Sequence, residues 1–400
     1  MPGHRISLIW PHDPTVNAAP KYRRACRYEA FIPDPLVGQS LRLGADAAGV
    51  VSDAEAAIHE LNASARPALA PLARLLLRTE SIASSKVEGM QLGVRELARA
   101  EARLDSGGRA GPAALEILAN VDAMQLAIDE AESVERFSVA EILAIHGRLM
   151  EHAPNAHVAG RIRTVQNWIG GNDHNPCGAD FVPPPPEHVD RLLADLCEAV
   201  NDDTLPPLAQ AALVHAQFET IHPFDDGNGR TGRALIHVIL HRRGVAPAYV
   251  PPISVVLAKA RDRYIRGLTA FREDGVDAWI EHFAGAAATA ARLASAYLDA
   301  VRELAASWRA RVRELPGAPR ADAAAWAIID VLPAHPTITA PVASAATGRS
   351  KPQTYQALET LERAGVLVPL SENRRNRSWE AAGLLDLLAG LESGERPARN

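Results

Sequence analysis

The sequence predicts a mainly helical protein with two small β features. Apolar residues recur at three- and four-residue spacings through most of the chain, and Ala, Leu, Arg and Glu dominate it, as helices prefer. Period-two alternation marks a stretch near residue 165, and short strands are expected after residue 366.

Residues 1 to about 50 carry scattered prolines without sustained periodicity and read as an extended arm over the body. From about 53 the pattern is helical, marked by Leu61, Leu69, Leu72, Leu75, Leu76 and Ile82, then by Ile117, Leu118, Val121, Met124 and Leu126. Residues 164 to 169 alternate, Gly170 and Gly171 turn, and residues 179 to 182 precede four prolines, which predicts a hairpin stopped by Pro183. Helices are expected over about 187–200, 208–220, 231–241 and 277–304. A linker at 312–322 leads to short helices over 323–331, 340–346 and 350–364, with strands at 366–370 and 378–380 around residues 372–377. That order is the pattern of a winged helix-turn-helix. The expected organisation is residues 1–105 as arm and N-terminal helices, 106–311 as core, the linker, and 323–391 as winged helix domain.

Four hundred residues exceed one usual hydrophobic core, and 47% apolar content suffices for several. A net charge of -6 exerts no whole-molecule pull toward nucleic acid or anionic membrane. The N-terminus lacks a signal-peptide core and no run of eighteen apolar residues occurs, so no membrane partner and a cytoplasmic location are expected. Cys26, Cys177 and Cys197 are few, odd in number and widely spaced, and are expected as reduced thiols.

The chemistry concentrates in HPFDDGNGRTGR, residues 222 to 233, a glycine-rich connection between two helical patterns. Gly227 and Gly229 let the backbone turn its N–H groups inward, and a helix starting near Thr231 aims its positive end at the same place. The outline is an anion cradle. For a nucleotide phosphate chain, His222 can take a proton from an attacking alcohol and Asp226 is a hard oxygen ligand for Mg2+. Asn228, Arg230 and Arg233 can hold phosphate oxygens, the arginines lying three apart on one helix face. A literal G-x-G-x-x-G lies inside at Gly227, Gly229 and Gly232. It follows a helical pattern instead of a strand, and no acidic residue occurs from 227 to 261, which argues against dinucleotide binding.

The segment resembles the Fic signature H-x-F-x-D/E-G-N-G-R-x-x-R at every defined position. The resemblance implies a Fic helical bundle with a β-hairpin flap. It also implies AMP transfer from ATP to a Tyr, Ser or Thr hydroxyl of a protein target, the chain itself included. In that reading His222 is the catalytic base and Asp226 the metal holder. Gly227, Asn228, Gly229 and Arg230 bind the α and β phosphates, Thr231 and Gly232 complete the cradle, and Arg233 positions the γ phosphate. Doc kinases usually carry lysine where this chain has Gly229, so the glycine favours AMP over phosphate transfer. Upstream, Ser84 and Glu88-Gly89 resemble the S/T-x-x-x-E-G/N inhibitory motif, on a helix expected over about 79–90, and imply a Glu88 pair with Arg233. Residues 160 to 171 with 179 to 186 resemble the Fic flap, which registers the target. Tyr264 lies where Fic proteins often place an aromatic beside adenine.

Other residues point less far. His237 and His241 are four apart, but no zincin glutamate or third ligand accompanies them; His215 reads as structural. From 320 to 400 nine Lys or Arg balance nine Asp or Glu, so only Arg349, Lys351 and wing arginines 374, 375 and 377 form a basic patch. Alternative readings are a DNA-binding regulator whose Fic domain senses nucleotide, and a transferase using another nucleotide donor. A homodimer is expected by analogy only.

Overall fold

The computed structural model describes residues 3–39, 41–63, 70–105, 107–370 and 377–397. In chain order the elements are β1 (Gly3–Trp10), α1 (Pro20–Arg23), β2 (Cys26–Pro33), α2 (Ala45–Ala63), α3 (Ala70–Val87), α4 (Val94–Asp105), α5 (Pro112–Ser133) and α6 (Val139–Leu149). There follow α7 (Val189–Asn201), α8 (Pro207–Ile221), α9 (Asn228–Arg242), α10 (Ile253–Lys259), α11 (Arg261–Arg272) and α12 (Val276–Arg313). The C-terminal part holds α13 (Ala324–Val331), β3 (Thr337–Thr339), α14 (Ala340–Thr347), α15 (Lys351–Arg363), β4 (Leu367–Pro369), β5 (Ser378–Ala381) and α16 (Leu384–Glu392). The mainly helical expectation holds.

Two compact units share these elements, and each is built from separated stretches of chain. The first takes residues through Asp53, Leu126–Gly244 and Asp262–Gly285. Its centre is α8, in which every residue from Leu208 to Ile221 is buried, packed on α9, which is buried from Asn228 to Leu240. Both helices are covered on every side, their polar residues included, so the pair forms the interior of the unit. Around the pair, α7 and β2 pack on α8, and α6 packs on α9 and α7. A Ser138–Glu141 capping box starts α6. Trp279 is fully buried and donates its indole N–H to the Ala212 carbonyl, 2.8 Å away.

Two expectations about the first unit need correction. The N-terminal stretch is not an irregular arm: β1 and β2 form an antiparallel ladder from Gly3↔Pro33 to Trp10↔Cys26. Its alternation escapes notice because Ile9, an apolar residue, faces solvent at 68% exposure and breaks the period of two. The cysteines are not all reduced either. Cys26 at the start of β2 is joined to Cys177, 151 residues away, and only Cys197 is free and buried. No spacing rule pairs cysteines so far apart; β2 and the loop after Gly171 bring them together.

The second unit takes Ala54–Gln125, Val245–Arg261 and the chain from Ala286 onward. In it α3 packs on α10, and fully buried Glu80 accepts hydrogen bonds from the Ser254 amide, at 2.8 Å, and from the Ser254 hydroxyl. The helix expected to end near 304 continues to Arg313, because Trp308 and Val312 are fully buried; the Trp308 indole donates to the Ala382 carbonyl at 3.1 Å. Near the C-terminus α13, α14 and α15 pack together beside a three-stranded sheet of order β3-β5-β4. Arg374 and Arg375 lie outside the described residues. Arg377 turns inward, bonding Glu362 at 3.1 Å and covering the Trp379 ring.

Candidate active site

His222 ends α8 in the left-handed conformation, with φ 49° and ψ 60°. A side chain there costs about 1 kcal/mol or more and persists only where neighbours enforce it. Here His222 N–H still donates to Phe218 O at 2.9 Å, while its carbonyl accepts from Arg163 Nε at 2.8 Å and Asn167 Nδ2 at 3.2 Å.

The chain then turns through Phe224, which is fully buried and stacked on His146 with ring centroids 3.7 Å apart. Asn228 closes the turn by accepting from Phe224 N–H at 2.9 Å and donating to Phe224 O at 2.8 Å. The side-chain amide of Asn228 is therefore committed to the loop, and what it offers an anion is its main-chain N–H in the first turn of α9. That helix begins at Asn228, three residues earlier than its apolar pattern suggests, behind Gly227 at φ 77°. Gly229 and Arg230 consequently lie in its first turn, at the positive end of the helix, and Thr231 N–H closes that turn by donating to Gly227 O at 3.0 Å.

Gly227 and Gly232 have distinct reasons to be glycine. A Cβ on Gly227 would stand 3.0 Å from Met150 Sδ in a left-handed conformation. One on Gly232 would meet Phe218 at 2.9 Å and Glu219 at 3.0 Å, so Gly232 serves the close approach of α9 to α8.

Asp226 stands at the loop tip, its side chain 48% exposed. One carboxylate oxygen accepts from Gly227 N–H at 2.6 Å and lies 3.7 Å from Arg230; the other accepts from Asn155 Nδ2 at 3.1 Å. Behind the loop, His146 accepts from Gly160 N–H at Nδ1, 3.0 Å, which leaves the proton on Nε2 to be donated to Asp226 O, also 3.0 Å. Burial pushes the pKa of His146 down to about 4, so the ring is neutral and this tautomer stands. Among the described residues no group of three or more His, Cys, Asp or Glu could hold a metal. A lone, oriented carboxylate fits Mg2+ shared with phosphates, an ion that keeps waters and uses few protein ligands.

Arg230 and Arg233 are 5% and 1% exposed, three residues apart on α9. Tyr264, on α11, is 3% exposed; its hydroxyl lies 2.9 Å from His215 Nε2 and its ring stacks on His215. Burial pushes His215 down to about 3. His237 is buried, and His241 bonds Glu132 at 2.8 Å. Ser84 is fully buried on α3, whereas exposed Glu88 follows the last residue of that helix. Both belong to the second unit and the 222–233 loop to the first.

The expected flap hairpin reduces to a single bridge, Ile169↔Phe181. A longer ladder fails because Pro183 and Pro184 carry no N–H to donate, and side chains bond the carbonyls on both arms instead. Arg163 bonds Val165 O and Pro184 O, and Gln166 bonds Pro183 O. His146, Asn155, Arg163 and Asn167 hold the 222–228 turn in place and were passed over in the sequence reading. No short motif marks them, since each bonds a group distant in sequence: main-chain groups for His146, Arg163 and Asn167, and the Asp226 carboxylate for Asn155.

Together these features define a class: a helical protein presenting a histidine in a left-handed turn just before a glycine- and arginine-rich helix N-terminus. Residues 136–240 match the Fic/DOC family, and residues 49–129 match the Fic/DOC family N-terminal region. The chain thus carries a Fic/DOC family domain preceded by that family's N-terminal region. It is 37% identical over 120 residues to protein adenylyltransferase fic-1 of Caenorhabditis elegans, covering 29% of this chain and 22% of that protein. To protein adenylyltransferase Fic of Nematostella vectensis it is 35% identical over 126 residues, 31% of this chain and 26% of that protein. The matches therefore span only about a quarter of these relatives' length. A Fic family protein from Desulfovibrio desulfuricans G20 shares the fold, with a TM-score of 0.52 at 22% identity over 86% of this chain and 98% of that one.

Proposed function

We propose that this chain transfers AMP from Mg-ATP to a hydroxyl side chain of a protein, itself included. The observation that carries the reading is His222, held at the end of α8 directly before the phosphate-accepting N-terminus of α9. His222 takes the proton of the incoming hydroxyl as its oxygen bonds to the α phosphorus, and the bond from that phosphorus to the bridging oxygen breaks, releasing pyrophosphate. The first-turn N–H groups of α9 with Arg230 hold the phosphate oxygens, and Arg233 directs the γ phosphate. Mg2+, held by Asp226, would supply charge neutralisation across the phosphates.

Glu88 is the proposed restraint: its carboxylate, paired with Arg233, takes the place of the γ phosphate and leaves ATP misaligned for attack. The segment from α13 to α16 is the proposed winged helix domain, supported by its order of helix, strand, two helices and two strands. With Arg377 turned inward, its basic patch is reduced, which favours recruitment of a protein over DNA. The Cys26–Cys177 bond argues against the cytoplasmic location expected from the N-terminus and the apolar runs. Among the described residues no helix is long and apolar enough to cross a membrane.

The test is label transfer from α-labelled ATP with Mg2+, comparing the unaltered chain, Glu88→Gly and His222→Ala. Label that rises with Glu88→Gly and disappears with His222→Ala is expected. Bound ATP with no label on any of the three would refute the transferase reading.

A further inference from the structure

Arg163 lies on the connection between α6 and the flap and is 2% exposed, in surroundings where an isolated charge costs several kcal/mol. Its guanidinium is satisfied by four main-chain carbonyls: His222 at 2.8 Å, Val165 at 3.1 Å, Pro184 at 2.6 Å and Ile221 at 3.4 Å. Its own N–H donates to Pro223 O at 3.0 Å. These partners fall into two groups. Ile221, His222 and Pro223 are the end of α8 and the left-handed turn at the base, while Val165 and Pro184 flank the flap bridge on its two sides. Asn167 makes a parallel tie, donating to His222 O at 3.2 Å and Phe224 O at 3.0 Å.

We propose that Arg163 is a positioning residue which locks the flap to the strained His222 backbone, so that a segment registered on the flap is registered against the base. The inference rests on the transferase reading above. Three properties of this site require arginine. Carbonyls in several directions need a planar fork with donors on three nitrogens, whereas a lysine ammonium concentrates its donors on one atom. The charge also complements the negative end of α8. Finally, the left-handed conformation of His222 has to be imposed by its surroundings, and its carbonyl is where Arg163 and Asn167 converge.

A role in geometry separates from a role in nucleotide binding. Arg163 touches no residue of the α9 phosphate cradle, so its loss should leave Mg-ATP affinity alone and slow the transfer step. A misplacement near 1 Å costs on the order of 100-fold in rate. Arg163→Lys and Arg163→Ala are to be compared with the parent in whichever of the unaltered or Glu88→Gly chains labels itself faster. At saturating Mg-ATP the self-labelling rate of Arg163→Lys is expected to fall about 100-fold, with the calorimetric Kd for Mg-ATP within about twofold of the parent. Hydrogen exchange should quicken in peptides covering residues 163–184 and 218–228 only.

Should Arg163→Ala not fold, Arg163→Lys carries the test. An unchanged labelling rate in folded Arg163→Lys overturns the proposal. So does a Kd that weakens in step with the rate, or exchange that quickens throughout the chain. If even the parent transfers no label, the transferase reading fails while hydrogen exchange still decides the coupling: a rise confined to both peptides supports the lock, and no rise refutes it.

Discussion

His146→Phe should destabilise the protein at neutral pH and scarcely at all near pH 4. Phenylalanine keeps the stack on Phe224 but removes the bonds to Gly160 N–H and Asp226 O, leaving both main-chain groups unsatisfied. Lost neutral hydrogen bonds and buried orphans of this kind total about 2–4 kcal/mol. The parent carries an opposing term. Burial lowers the His146 pKa from 6.5 to about 4, so between those values the unfolded chain binds a proton that the folded chain refuses. Stability is therefore lost as pH falls from 6.5 toward 4, by about 3 kcal/mol in all, with a slope of about 1.4 kcal/mol per pH unit. Phenylalanine abolishes that slope contribution. His215, also pushed down by burial, titrates in both proteins and cancels from the difference. The assay is urea unfolding of parent and variant at several pH values from 7 to 4, followed on the transition that includes the α8–α9 pair. A stability gap that stays constant with pH would show that His146 is not held neutral by burial, and the tautomer argument for the Asp226 turn would fall with it.

Gly232→Ala sets a gain of about 1 kcal/mol in helix propensity against overpacking that costs about 1–3 kcal/mol. With the added Cβ 2.9 Å from the Phe218 ring, a lowered thermal midpoint is expected; an unchanged or raised one would mean that α8 and α9 can part without penalty. Alkylation in denaturant should add one adduct without reductant, at Cys197, and three with it; three in both conditions would exclude the Cys26–Cys177 bond.

Much of the candidate site was legible in the sequence because its chemistry is local. A base, a carboxylate, glycines and two arginines within twelve residues describe an anion cradle before any coordinates exist, and the long apolar periods of α8 and α9 announce helices on either side. The helix boundaries were less legible. Asn228-Gly229-Arg230 reads as loop by composition, yet it forms the first turn of α9 because Asn228 staples the loop to Phe224 and Gly227 supplies the left-handed cap. Strand signals failed in both directions: exposed Ile9 hid a regular ladder, and the alternation of residues 164–169 promised one for which Pro183 and Pro184 have no N–H to donate.

The sequence by itself thus determined the helical class and singled out the side chains and the anion of the proposed chemistry, since residue chemistry and short-range periodicity are properties of neighbours in the chain. Only the tertiary structure decided what holds those groups in place. Cys26 meets Cys177, His146 reaches Asp226, and Arg163 reaches His222 across 151, 80 and 59 residues, and contacts at such separations leave no periodic trace for a sequence to display.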